Sequence, residues 1–291
     1  GAQVGMIRTG ETYRSLVEAI VQKAGIRRMG FEDNYMSVAE FGLWREGVSA
    51  ELVPASELLE TLRMVKDEHE LAAMREAQRV TDEAFTEILN DIKPGVAECE
   101  IAAKLTYLMA RKGAERNSFD PIVACGANGS KPHAVPGKAL IEKGQFVTMD
   151  FGCVVGGYCS DMTRTIAVGE PTEEMCFVYA TVLKAQLAGI AAAHGGVTGA
   201  QIHNIAAQVI ADAGYGAYFG HGFGHSLGIE IHENPRFSPL WDKVIPAGAC
   251  LSAEPGIYLP GKFGVRIEDV IMLTEEGCVD ITHSPKELII L

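Results

Sequence analysis

Between Tyr13 and Ala24 the apolar residues Leu16, Ile20 and Val21 recur at helical spacing, and Glu51-Leu52-Val53 is a short apolar strand, so the chain up to about residue 55 reads as a small α/β unit. From Ser56 the pattern turns strongly helical. Leu71, Met74, Ala77, Val80, Ala84, Phe85 and Ile88 lie three or four residues apart until Lys93-Pro94-Gly95 stops the run, and a second helix is predicted over about 98–112, ending at Gly113. The period then changes to that of strands. Residues 145–151 and 158–168 flank Val155-Gly156-Gly157, a hairpin signal with glycines where positive φ is needed. Helices are predicted over about 173–193 and 198–213, the second opened by Thr198 as N-cap, and a further strand pair over 249–258 and 265–273. Helix, helix, hairpin therefore occurs twice, which suggests a duplicated half-fold without a residue-level repeat.

Composition narrows the class. The 291 residues are 47% hydrophobic and 22% charged, as in ordinary globular chains. With 38 acidic against 25 basic residues the formal charge is −13, which disfavours nucleic acid as a partner. Seven widely spaced cysteines with no Cys-x-x-Cys pair suggest neither disulfides nor a thiolate metal site, and a cytoplasmic location is expected. No apolar run is read as approaching the roughly 20 residues that span a bilayer, and the start, Gly1-Ala2-Gln3-Val4, carries no basic leader, so no membrane partner is expected.

The candidate chemistry lies in the strands. Asp150 and Asp161 interrupt runs of Val, Thr, Ile and Phe, where a carboxylate costs several kcal/mol to bury unless it is paired or bound to a cation. With the turn centred on Val155-Gly156 the two lie opposite each other; centred on Gly156-Gly157, Asp161 falls two residues away on the same face. Glu254 and Glu268 pose the same problem in the second strand pair, with Arg164 and Arg266 as ion-pair partners in the plainer reading. Of eight histidines, His221, His225 and His232 fall within twelve residues in a glycine-rich stretch that predicts an irregular backbone, and His133 follows a turn-rich segment. Four carboxylates and an imidazole suit a pair of Mn²⁺, Co²⁺, Fe²⁺ or Zn²⁺ ions, and such a pair activates water for hydrolysis.

Six segments in order, 149–152, 160–164, 220–225, 232–235, 254–258 and 265–269, resemble the Xaa-Pro aminopeptidase and proline dipeptidase branch of the pita-bread metallopeptidases. The resemblance covers about Ser56 to the C-terminus. It implies an α+β pita-bread fold with pseudo-twofold halves over 56–291, preceded by a partial α/β domain over 1–55 that matches only the later part of the family's N-terminal domain. It implies metal ligands at Asp150, Asp161, His225, Glu254 and Glu268, with Asp161 and Glu268 bridging two divalent ions, Mn²⁺ first and Co²⁺, Zn²⁺ or Fe²⁺ as alternatives. Glu254 is further implied to move a proton between the bridging water and the leaving amine. His133 and His232 are implied to stabilise the tetrahedral intermediate, while His221 and Arg266 help to hold the substrate's proline end and the ligand network. Peptides with proline at the second position are the implied substrates, and a homodimer the implied assembly.

Rival readings have their own signatures. Methionine aminopeptidase shares the fold and ligands but not the His221-x-x-x-His225 pair or the Glu254-Pro255-Gly256-Ile257-Tyr258 segment. Creatinase-like hydrolysis and a non-catalytic pita-bread binding module both go without the complete ligand set. A structural Ca²⁺ site leaves His225, His133 and His232 without a purpose.

Overall fold

The computed structural model describes residues 4–291, and the expectation drawn from the first residues falls largely on 1–3, which lie outside the described residues. Contacts divide the chain after Leu62. In the first unit, helix α1 (Tyr13–Ala24) is opened by a capping box between Thr12 and Ser15 and closed by Gly25 in the left-handed region. Strands β1 (Arg28–Phe31) and β2 (Glu51–Pro54) pair in parallel, Arg28 beside Glu51, with α2 (Val38–Gly47) as the crossover between them. Phe31 and Phe41 pack with ring centroids 5.0 Å apart. Helix α3 (Ser56–Met64) runs across the boundary.

The single helical run expected from Ser56 is two helices. Asp67 accepts hydrogen bonds from the His69 and Glu70 amides and starts α4 (Glu68–Ile88) afresh with a full capping box. The apolar stripe of α4 and of α5 (Glu98–Arg111) packs on the sheet that follows. Here β3 (Arg116–Asn117), β4 (Ile122–Cys125), a 3₁₀ turn (Gly126–Ser130) and β5 (Gln145–Phe151) lead into β6 (Cys153–Val155), β7 (Tyr158–Cys159) and β8 (Met162–Val168). One sheet has the order β4-β5-β8, a second β3-β6-β7. Val147, Met149 and Phe151 point into the α4–α5 core, so alternation places Asp150 on the other face.

The second half repeats this plan. Helices α6 (Glu173–Ala192) and α7 (Gly199–Asp212, capped by Thr198) pack against a five-stranded sheet of order β10-β9-β11-β14-β15. Its strands are β9 (Gly224–Ser226), β10 (Glu233–Phe237), β11 (Cys250–Ala253), β14 (Asp269–Leu273) and β15 (Cys278–Asp280), and β12 (Gly256–Leu259) pairs with β13 (Phe263–Arg266). One expectation is corrected here: α6 is long and apolar enough to cross a membrane by length and composition. Its alanines and Gly189 extend the apolar run, and Met175, Val178, Tyr179, Val182 and Ala185 are buried in the core with α7. All seven cysteines are free.

Candidate active site

The first hairpin is interrupted at Asp161 and the second at Glu254 and Glu268, while Asp150 lies within the unbroken β5. In the first, Gly156 and Gly157 take φ of 59° and 79° in the turn, which sets Val155 beside Tyr158 and Asp150 beside Thr163. Of the two registers open to the sequence this is the second: Asp161 lies diagonal to Asp150 on the same face. The continuous strand expected over 158–168 breaks at Ser160 and Asp161. The Ser160 hydroxyl accepts from the Cys153 amide, and Ser118 donates to the Ser160 carbonyl, so the ladder ends there and Asp161 is turned into the interior. In the second hairpin Ala253 faces Asp269 and Gly256 faces Arg266, which sets Glu254 opposite Glu268 in the gap between the strand pairs. The Glu268 amide crosses to the Thr163 carbonyl of the first hairpin at 3.1 Å.

His225 arrives from a third direction. The stretch 220–228, expected to be irregular, contains the short strand β9, and glycine is what permits it: a Cβ on Gly224 would lie 1.9 Å from the Ser252 carbonyl oxygen of β11. His225 Nδ1 meets the Ser226 carbonyl at 3.1 Å, which fixes the proton on that nitrogen and leaves Nε2 as a lone pair. Nε2 then faces Asp161 Oδ2 at 3.6 Å and Glu254 Oε1 at 3.4 Å. Burial pushes His225 down to about 4, so the ring is neutral at pH 7 and has no proton on Nε2 to offer either carboxylate.

This arrangement is unfavourable without added positive charge. Asp161 and Glu268 are 4% and 1% exposed. Burial, then repulsion from neighbouring carboxylates, holds both far above the usual carboxylate range. Burial also raises Glu254, against the pull of His221 and Arg266. Two carboxylates 4 Å apart repel by about 4 kcal/mol at an effective dielectric near 20. Arg266 is the cation inside the cluster, and its Nη2 donates to Asp150 Oδ2 at 2.6 Å. Asp150 Oδ1 and Asp161 Oδ1 are buried without a hydrogen-bond partner. Ligand atoms of Asp161, His225 and Glu268 lie within 4.8 Å of one another. Orphaned carboxylate oxygens, an imidazole lone pair and a charge deficit make a donor set that fits divalent cations.

A cavity of about 560 Å³ opens over these groups, and His133, His221, His232, Arg266 and all five acidic and imidazole donors line it. His221 is tied by its ring to the Gly222 carbonyl and to the Tyr258 hydroxyl, at 2.8 and 2.9 Å. Tyr258 in turn accepts from Arg266 Nη1 at 2.8 Å. His232 stands with its ring 4.4 Å from that of His225, and desolvation lowers its pKa, so it too is neutral at pH 7. The histidines set aside from the sequence, His69, His194, His203 and His283, do not line this cavity. The lining residues missed include two that can do chemistry, Tyr258, quoted only as part of a motif, and Arg236, which stands exposed on β10. The spacing of four between His232 and Arg236 was the available signal.

Fold and site together define a hydrolytic metal centre built on two related halves. Residues 72–275 match the model of metallopeptidase family M24, and residues 2–65 match the creatinase/prolidase N-terminal domain. The chain belongs to family M24, is a metallopeptidase and has the pita-bread fold. It is 46% identical over 272 residues to the uncharacterized peptidase YqhT of Bacillus subtilis, covering 93% of this chain and 77% of that protein. Among solved structures, an Xaa-Pro dipeptidase from Bacillus anthracis superposes with a TM-score of 0.95 at 44% identity, covering 97% of this chain and 79% of the other. An X-Pro aminopeptidase from Thermotoga maritima superposes with a TM-score of 0.93 at 35% identity, covering 98% and 81%.

Proposed function

We propose that this protein is an exopeptidase cutting the bond before proline in dipeptides and at the N-terminus of short peptides, with Asp150, Asp161, His225, Glu254 and Glu268 holding two divalent ions. The observation that carries this reading is that Asp161 and Glu254 face the unprotonated Nε2 of His225 while Asp150 and Glu268 line the same cavity. Mn²⁺ is the ion we assign first. When bound, the ions polarise the scissile carbonyl and acidify a water.

The side chains divide the remaining work. Ser252 donates to Glu254 Oε1 at 3.0 Å and orients a carboxyl that burial holds above its usual range, which suits Glu254 to take a proton from water and deliver it to the leaving nitrogen. Neutral His232, with His133 in the same cavity lining, offers an N–H to the oxygen that becomes negative. The bond before proline has no N–H, so a closed pocket serves it better than a cleft that pairs with extended backbone. Arg236 at the cavity rim has no carboxylate within ion-pair reach among the described residues and supplies a cation for the free carboxylate of a dipeptide. The relatives named as an Xaa-Pro dipeptidase and an X-Pro aminopeptidase support the proline preference.

Hydrolysis of Ala-Pro, Ala-Pro-Ala, Ala-Ala-Ala and Met-Ala-Ser, with Mn²⁺ and Co²⁺ supplied in turn, tests the proposal. Ala-Pro is expected to be cleaved fastest. Faster release from Ala-Ala-Ala or Met-Ala-Ser would overturn the proline specificity.

A further inference from the structure

Glu98 is a carboxylate that takes no part in the centre described above, yet its side chain is completely buried. It stands at the first position of α5, where the unpaired amides of a helix N-terminus favour negative charge, but it does not cap that helix. Its oxygens turn instead to the segment that connects β4 with β5. Oε1 accepts from the Cys125 amide at 2.7 Å and from the Asn128 side-chain amide at 3.0 Å. Oε2 accepts from the same Asn128 nitrogen at 2.9 Å and from the Gly137 amide at 3.0 Å. Backbone bonds close the same knot: the Glu98 amide donates to the Ala139 carbonyl, and the Cys99 amide to that of Gly137.

Cys125 and Gly137 are the two ends of the segment that carries His133. Its internal bonds are short-range, the 3₁₀ turn Gly126–Ser130 and the Ala134 amide to the Lys131 carbonyl at 3.2 Å among them, so they shape the loop without fixing its two ends. Near its tip, Arg266 Nη1 donates to the Pro132 carbonyl at 3.3 Å and ties it to the metal-site network. Every partner of the Glu98 carboxylate is a donor, so the position calls for a group that accepts on both oxygens.

We infer that Glu98 is a positioning residue for His133: by clamping both ends of 125–137 it sets where the imidazole stands over the cavity. This rests on the assignment of His133 to the reacting carbonyl. The Glu98→Gln substitution keeps the shape but turns one acceptor into an N–H₂ donor, leaving either the Cys125 or the Gly137 amide facing another donor. The loop base then shifts, and His133 with it. Misplacement of a catalytic group by about 1 Å costs up to 10²-fold in rate.

The test is a double-substitution cycle on the Mn²⁺-loaded full chain with Ala-Pro as substrate. Glu98→Gln is expected to lower kcat at least tenfold with KM changed less than threefold and metal content unchanged. In a His133→Ala background the same substitution is expected to change kcat less than twofold. A second readout needs no turnover: the His133 ring resonance, assigned by its loss in His133→Ala, is expected to shift in Glu98→Gln protein without metal. Should Glu98→Gln fail to fold, Asn128→Ala removes two of the four hydrogen bonds without orphaning a backbone amide. It is expected to show a smaller kcat loss with the same dependence on His133. An equal loss in both backgrounds, or an unmoved His133 resonance, overturns the inference. A His133→Ala protein with normal kcat overturns instead the role given to His133.

Discussion

Replacing Arg164 with Met tests whether the two hairpins are held together from behind the site. The Arg164 side chain is 1% exposed and every one of its five donors is engaged. Nε reaches the Pro285 carbonyl at 2.8 Å, while Nη1 reaches the carbonyls of Thr163 and Glu268 at 2.9 and 2.6 Å. Nη2 reaches Asp269 Oδ1 and the Ser284 carbonyl, both at 2.7 Å. Arg164 therefore belongs to the first hairpin but grips the backbone of Glu268 in the second. Met fills much of the same volume and supplies none of these bonds. Breaking a buried pair by removing one partner costs about 3–5 kcal/mol. Lys286, 2.5 Å from Asp269, keeps that aspartate compensated and holds the pair's share near the lower end. Four carbonyls losing a donor add to it, at about 1 kcal/mol each where water cannot reach. The sum, about 7 kcal/mol, corresponds to a fall in melting temperature of about 14–28 °C for a unit of this size. Thermal unfolding followed by circular dichroism measures it on metal-free protein, and Mn²⁺ titration of the same variant is expected to show weaker binding as the spacing of Asp161 and Glu268 relaxes. A fall under about 3 °C with unchanged Mn²⁺ affinity would refute the idea that this guanidinium joins the halves.

Two further outcomes are expected. Asp161, Glu254 and Glu268 have carboxyls raised by burial, with repulsion from neighbouring carboxylates adding to it, so metal-free folded protein keeps protons that the unfolded chain has released above about pH 4. Stability contributed by those protons is present below that pH and is lost as pH rises through the folded values, at about 1.4 kcal/mol for each unit of upward shift. Calorimetry from pH 5 to 8 should therefore show the gap in melting temperature between Mn²⁺-loaded and chelator-treated protein widening with pH; a constant or narrowing gap contradicts this. Arg236→Gln is expected to raise KM for Ala-Pro about tenfold and to leave Ala-Pro-Ala less affected, because the charge it loses meets a dipeptide's carboxylate. Equal effects on both peptides would remove Arg236 from substrate recognition.

Much of this architecture is legible in the sequence because local rules act alone there. Thr198 caps α7 as its side chain requires, Gly156 and Gly157 mark their turn, and the helical stripe from Leu71 to Ile88 faces the core. The break at Asp67 is missed because an aspartate inside a helical pattern looks like one more exposed polar residue until its side chain is seen capping a new start. The strand breaks at Asp161 and Glu254 escape for another reason: the Ser160 hydroxyl and the Phe223 carbonyl take over ladder positions, and neither is predictable from periodicity. The acidic and imidazole residues stand out because carboxylates in apolar strands are costly. Glu98 does not stand out, since its partners begin 27 residues away in the chain, and Arg164, expected to pair with the acidic cluster, pairs instead with Asp269, 105 residues away.

Anomalous diffraction from crystals grown with Mn²⁺, collected on either side of the manganese absorption edge, addresses the centre itself. Two peaks are expected, with oxygens of Asp161 and Glu268 shared between them and His225 Nε2 on one. A single peak, or ions bound away from the carboxylates of the two hairpins, would contradict it.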